Sequence, residues 1–307
     1  MKVFECVPNV SEGRHAELLL ACARAITGAG ATLAHQTSDP VHNRSVFTFF
    51  GTREHVLEAA IALARVTSFG IDLRSHAGAH PRIGALDVMP FVPLDEATMR
   101  DAVEIAHAAG ARIWSELAIP SYFYGEAAVR PDRRLLADVR RGEFEGLATR
   151  ADRPDVGDVA LHRSAGATAI GARDVLIAFN IVLASGNLAL AKAIARTLRE
   201  RAGGLRTLRA LGIALDDERV QISCNITNVA AIPLDRLVAL ARGLAARKGV
   251  AVSACELIGL VPRAAFVAVA ARVLGTAPSE RDGSEAQPED YAKRSASALA
   301  PDQGRIA

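Results

Sequence analysis

No stretch of the 307-residue sequence is apolar for long enough to cross a bilayer. The nearest approach, DVLIAFNIVLASG, is short and carries Asn180 in its middle. The N-terminal MKVFECVPNVSEGR has neither the apolar run nor the flanks of a secretory leader, so a cytoplasmic protein is expected. No CxxC pair occurs among Cys6, Cys22, Cys224 and Cys255, and their wide spacing reads as reduced, structural thiols. The sequons at Asn43 and Asn225 then carry no meaning for glycosylation. Excess charge is missing as well: a formal net charge of +2 gives no reason to expect a nucleic acid or an anionic membrane as partner. What remains is the composition of a soluble globular chain, half hydrophobic and about a quarter charged, long enough for one large or two medium domains.

The hydrophobic pattern divides that length into two similar halves. In the second, DVLIAFNIVLA reads as a strand, and NLALAKAIARTLRERAGG as a helix opened by Asn187. LRALGIAL and RVQISCNIT are strands about a turn, PLDRLVALARGLAARKG is a helix, VAVSACELIGLV a strand and PRAAFVAVAARVLG a closing helix. The order is β-α-β-β-α-β. The first half repeats it with KVFECVPNV, HAELLLACARAITGAG, ATLAHQTS, NRSVFTFFG, TREHVLEAAIALARVTSFG (Thr52 as cap) and ALDVMPFVPL. A further helix, DEATMRDAVEIAHAAGARI, and strand, IPSYFYGE, extend it. The expectation is an α+β chain of two tandem ferredoxin-like subdomains, residues 1–170 and 171–275. Residues 276–307, rich in Ser, Ala, Pro and acidic residues, are expected to form a disordered tail. Arg150–Arg173 lacks periodicity, and a long irregular segment in a compact protein is more often a binding loop than idle linker.

Chemistry concentrates in SHAGAHPRIGALDV, Ser75 to Val88. His76 and His80 stand four apart, as in zinc-binding helices. Gly78 and Pro81 oppose a helix, however, the motif glutamate is absent, and no third ligand is close, so no metal is expected. Two readings remain. The histidines bond the backbone of a polar loop and do no chemistry, or one exchanges protons near neutral pH, with Arg82 holding a carboxylate nearby. The residues alone leave these readings open.

A wider set of motifs resembles the glutamate formimidoyltransferase (formiminotransferase) family. They are ECVPNVSEGR, DPVHNRSVFTFFG, HAGAHPRIGALDVMPFVPL, IPSYFYGEAA, RRGEFEGL, GATAIGARDVLIAFNIVL, QISCNITN and ELIGLVP, in the family's order across nearly all of Val3 to Pro262. The resemblance implies two ferredoxin-like subdomains with a reduced folate in the groove between them. It implies transfer of a formimidoyl group between N-formimidoyl-L-glutamate and tetrahydrofolate, a step of histidine degradation. The family's catalytic histidine precedes Pro-Arg, which is His80 here. In such a transfer one amine attacks an amidine-like carbon and another leaves, so a group able both to take and to give a proton is required. His76 would then orient or relay.

Family folate contacts carry over to Gly157, Asp158, Val159, Ala160, Leu161, His162, Arg163, Ser164, Ala165 and Gly166. Arg163 stands where the family commonly has proline; it would meet the folate's anionic tail or simply be solvated. Met89 and Cys255 also depart from the usual pattern, as core swaps. Asn43, Arg44 and Arg82 are candidates for holding the substrate and its carboxylates, each with an equally weighted local role. Tyr124 is a candidate wall of the folate or a core aromatic, and Asp39 and Asp87 are candidate orienters of the histidine. Some family members are fused to a cyclodeaminase; here only the tail follows Gly275, so a separate protein is expected to perform that reaction. A homodimer is expected from the family. Competing readings are a related folate-dependent formyl transferase, a folate-binding protein without turnover, and an RNA-binding sheet. The last lacks a basic-Gly-aromatic signature.

Overall fold

Val3–Cys6 (β1) buries all four of its side chains and leads into Asn9–Val10 (β2). Pro8 stands between them and has no N–H for a ladder, so one strand becomes two short ones. The computed structural model describes residues 1–274, apart from 79, 148, 150, 151, 159–161, 217, 229 and 230. The expected tail, 276–307, lies outside the described residues.

The chain forms two compact units, the first Met1–Asp174 and the second beginning at Val175. The first contains α1 (Ala16–Gly28), β3 (Thr32–Asp39), β4 (Arg44–Gly51), α2 (Arg53–Gly70) and β5 (Leu86–Leu94). These are followed by α3 (Met99–Leu117), β6 (Ser121–Gly125), short helices α4 (Leu136–Val139) and α5 (Glu143–Leu147), and β7 (Thr168–Ala172). The sheet runs β3-β4, then β1 with β2, then β5-β7-β6. It is antiparallel as far as β5, and β7 adds parallel to both β5 and β6.

Strand alternation builds two cores. Phe4, Phe47, Phe49, Met89, Phe91 and Phe123 face the layer of α1–α3. Val88, Tyr122, Tyr124 and Ala169 face the other way and are covered by Val139 and Leu147. Tyr124 is a core residue. Local signals define the helix starts: Thr52 accepts a bond from the His55 N–H, and Thr98 with Asp101 forms a reciprocal capping box.

The second unit contains β8 (Ile177–Leu183), α6 (Leu188–Leu198), β9 (Leu208–Ala214), β10 (Val220–Ile226), α7 (Leu234–Ala246), β11 (Val252–Ile258) and α8 (Arg263–Leu274). Its antiparallel sheet has the order β11-β8-β10-β9. That matches β5-β1-β4-β3 of the first unit, element for element. Asn187 caps α6 by accepting the Leu190 N–H, as its position in the sequence predicts. All four cysteines are free thiols. No helix among the described residues is long and apolar enough to cross a membrane.

One segment differs from expectation. Arg150–Arg173 was expected to be irregular, yet its end is the buried strand β7. Residues 131–147, of which only 140–147 were quoted as a motif, form the short helices that cover the second core.

Candidate active site

Three loops meet at one end of the first sheet: Ser11–Arg14 after β2, the β3–β4 turn, and Ser75–Gly84 before β5. Hydrogen bonds lock them together. The Ser11 hydroxyl donates to the Gly84 carbonyl at 2.7 Å, and the Ser45 hydroxyl donates to the Glu12 carbonyl at 2.5 Å. Asn43 joins all three loops. Its Oδ1 accepts the Gly13 N–H at 2.9 Å, its Nδ2 donates to the Ala77 carbonyl at 3.1 Å, and its own carbonyl lies 3.1 Å from His76 Nε2. Asn43 holds φ 47°, a left-handed conformation that asparagine tolerates better than most residues. Glycine is required opposite it: a Cβ on Gly78 would lie 2.4 Å from the His42 carbonyl oxygen.

His80 stands half-buried in the hollow these loops line. Its Nδ1 lies 2.9 Å from the Pro81 carbonyl, an acceptor only, so Nδ1 carries the hydrogen and Nε2 keeps its lone pair. An Arg44 Nη1 hydrogen bond occupies that lone pair. Removal from water, then the charges of Arg44 and Arg140, push the His80 pKa down to about 2. Arg44 is itself pulled down to about 10, mostly by burial and next by Arg140. The pocket is therefore electropositive around a neutral imidazole.

Neither candidate orienter bonds to His80 in this arrangement. Asp39 accepts the Val41 and His42 N–H groups and, at 3.1 Å, pairs with His42 Nδ1. Asp87 accepts the Ile83 N–H at 2.8 Å and pairs with Arg140. His80 is oriented instead by a main-chain carbonyl.

Arg82 is tied to carboxylates of α5, 2.8 Å from Glu145 and 3.3 Å from Glu143, and also donates to His76 Nδ1 at 3.1 Å. Both ring nitrogens of His76 are thereby engaged, and burial lowers its pKa. Of the expected folate loop, Val159, Ala160 and Leu161 lie outside the described residues. His162–Gly166 forms a tight turn, its His162 Nδ1 accepting the Ala165 N–H at 3.0 Å. This turn docks beside the histidine loop: Ala85 N–H donates to the Ala165 carbonyl, Leu73 N–H to that of Ser164, and Gly84 bridges Gly166. A Cβ on Gly166 would lie 2.3 Å from the Ile83 carbonyl oxygen, so packing within the unit already demands glycine there. Gly157 and Asp158 precede the turn, with Gly157 at φ 103°.

Among the described residues no group of three or more His, Cys, Asp or Glu is arranged to hold a metal ion. The hollow offers cations beside a neutral imidazole, a set suited to an anionic ligand.

Residues 3–173 match the formiminotransferase domain, N-terminal subdomain, and residues 178–276 match the formiminotransferase domain. The chain belongs to the formiminotransferase family. It is 42% identical over 277 residues to the glutamate formimidoyltransferase of Streptococcus pyogenes serotype M1, covering 88% of this chain and 92% of that protein. Against the glutamate formimidoyltransferase of Thermoplasma acidophilum it is 41% identical over 278 residues, covering 88% and 91%. The formimidoyltransferase-cyclodeaminase of Gallus gallus is 39% identical over 278 residues, which cover 87% of this chain and 51% of that longer protein.

In this formiminotransferase-family chain the structure brings His80, Arg44, Asn43, His76 and Arg82 to one hollow. Ser11, His42 and Asp87 line it as well, and Arg140 acts on it through its charge. His42 lines the hollow with its ring centroid 6.2 Å from that of His80, and Arg140 adds its charge from the C-terminal end of α4. The signal for each was present, since both lie inside quoted motifs, DPVHNRSVFTFFG and RRGEFEGL.

Proposed function

We propose that this protein transfers a formimidoyl group between N-formimidoyl-L-glutamate and tetrahydrofolate, with His80 as the proton carrier. The observation that carries the reading is the 2.9 Å contact between His80 Nδ1 and the Pro81 carbonyl. With Nδ1–H held by the Pro81 carbonyl, Nε2 is the atom able to take a proton from an attacking nitrogen and return it to the leaving one. Arg44, and Arg140 behind it, supply the positive field that a glutamate carboxylate requires. In this reading Arg82 supports the site through His76 and the α5 carboxylates more than it contacts substrate, and Asn43 fixes the loops around it. His42, oriented by Asp39, is a second imidazole within reach of the hollow.

The reduced folate supplies the nucleophilic nitrogen when bound. The residues from Gly157 to Gly166 are proposed to hold it, supported by the docking of the His162–Gly166 turn beside the histidine loop. The reading extends to each unit as a ferredoxin-like plait, to a cytoplasmic homodimer, and to a place in histidine degradation ahead of a separate cyclodeaminase.

The test is an assay of purified protein with tetrahydrofolate and, in parallel, N-formimidoyl- and N-formyl-L-glutamate. Turnover of the formimidoyl donor supports the reading. Turnover of the formyl donor alone replaces it with the related formyl transfer, and folate binding without either leaves a binding protein. His80→Ala is expected to lower kcat at least about a hundredfold while tetrahydrofolate still binds. Normal turnover by that variant would remove His80 from the mechanism.

A further inference from the structure

Arg44 is the cation of the hollow whose partner, among the described residues, is a neutral ring and not a carboxylate. Its neighbours are differently placed. Arg82 has Glu143 and Glu145, and Arg140 has Asp87. A guanidinium withdrawn from water gains far more from a carboxylate, which accepts two parallel N–H bonds, than from one imidazole lone pair. Arg44 is thus poised for a better acceptor.

The bond it makes meanwhile has a chemical consequence. His80 can take up a proton only at Nε2, because Nδ1 already carries hydrogen toward the Pro81 carbonyl. While Arg44 donates to Nε2, that lone pair is engaged and the ring cannot act as a base. The other charged groups do not relieve this. Arg140 and His42 disfavour a second positive charge, while Asp39 and Asp87 are engaged with His42 and with Arg140 and the Ile83 N–H. In the state shown, the proposed proton carrier is switched off.

We infer that Arg44 is a latch on His80, opened when a substrate carboxylate draws the guanidinium away and leaves Nε2 free. Arg44 is then a positioning and gating residue. The anionic group of the donor both anchors the substrate and arms the base, so proton transfer is confined to the occupied site. This inference rests on His80 being the proton carrier.

The experiment uses the full chain labelled with ¹⁵N-histidine, with the His80 ring signals assigned by their loss in His80→Asn. L-Glutamate is the probe, and its occupancy is followed by calorimetry. In the free wild-type protein the ring is expected to stay neutral from pH 8 to about 5, with Nε2 showing the signature of a hydrogen-bond acceptor. Saturating L-glutamate should abolish that signature and raise the ring's titration midpoint by about 1–3 pH units. Arg44→Gln should raise the midpoint similarly with no ligand present.

A ring that titrates near the ordinary histidine pKa in free wild-type protein would overturn the latch. So would L-glutamate that binds without moving Nε2, or that fails to bind at all. If Arg44→Gln does not fold, the two wild-type measurements decide. The outcomes separate from those of the transferase reading. An unlatched ring in an active enzyme sinks the latch alone, and a latched, glutamate-responsive ring in a protein without formimidoyl transfer sinks the activity alone.

Discussion

Asp87 and Glu145 each neutralise an arginine at the site, and their surroundings set very different energies. The Asp87 side chain is 2% exposed and its partner Arg140 is 13% exposed, whereas the Glu145 side chain is 64% exposed against Arg82. Breaking a buried pair leaves a charge without compensation, at a cost of about 3–5 kcal/mol, while an exposed pair is worth about 0–1 kcal/mol. Asp87→Asn should therefore lower the unfolding free energy by about 3 kcal/mol or more, even though asparagine can still accept the Ile83 N–H. Glu145→Gln should lower it by less than about 1 kcal/mol, because Glu145 is solvated and Glu143 still faces the buried Arg82. Urea unfolding followed by Trp114 fluorescence measures both, because this single tryptophan lies in α3 of the unit that holds the site. Similar losses for the two variants would mean that burial does not rank these pairs.

At the scale of elements, β7 shows how packing overrides local pattern. Three of its five residues, TAIGA, are Ala or Gly and disfavour a strand, yet all five are buried between β5 and β6. The reason is the neighbour: a Cβ on Gly171 would lie 2.5 Å from Tyr124 Cε1. Gly171→Ala is expected to destabilise the unit by about 1–3 kcal/mol through overpacking. Gly146→Ala, in α5 with open space around its Cβ, should instead stabilise by about 0.5–1 kcal/mol through helix propensity. The same urea titrations check the opposite signs. These two glycines also mark what was legible in the sequence. The long helices and the strands β3, β4, β5, β8 and β10 were readable because each carries its own period and caps. The strand β7 was not, since its small residues answer to a tyrosine distant in sequence. The site divides in the same way. His80 was singled out by the family resemblance, through the Pro-Arg that follows it, and its orienting group is a backbone carbonyl, which has no sequence signature. Its Nε2 partner is Arg44, 36 positions away and brought near only by the convergence of loops.

At the scale of the whole molecule, imidazoles partly or fully withdrawn from water should set the acid sensitivity. His35, His42, His76 and His80 all have pKa values lowered from 6.5, with removal from water the largest cause in each. In the unfolded chain they return to about 6.5 and bind protons that the folded protein refuses. The unfolded state therefore gains protons as pH falls below 6.5, and stability must fall with it. For His80, held down to about 2, the slope is at most about 1.4 kcal/mol per pH unit through the range 6 to 5. Carboxylates with lowered values lose their contribution below unfolded pKa values near 3.8 for aspartate, as at Asp72, and near 4.5 for glutamate, as at Glu12, both under that window. Glu5, raised by burial, acts in the opposite sense, but its effect cancels when two proteins that both contain it are compared. Wild-type protein should lose stability between pH 6.5 and 5, and His80→Asn should lose less by up to about 1 kcal/mol per pH unit. Unfolding free energies from Trp114 fluorescence at three pH values decide it. Parallel slopes for the two proteins would show that the His80 ring is already solvated like an ordinary surface histidine.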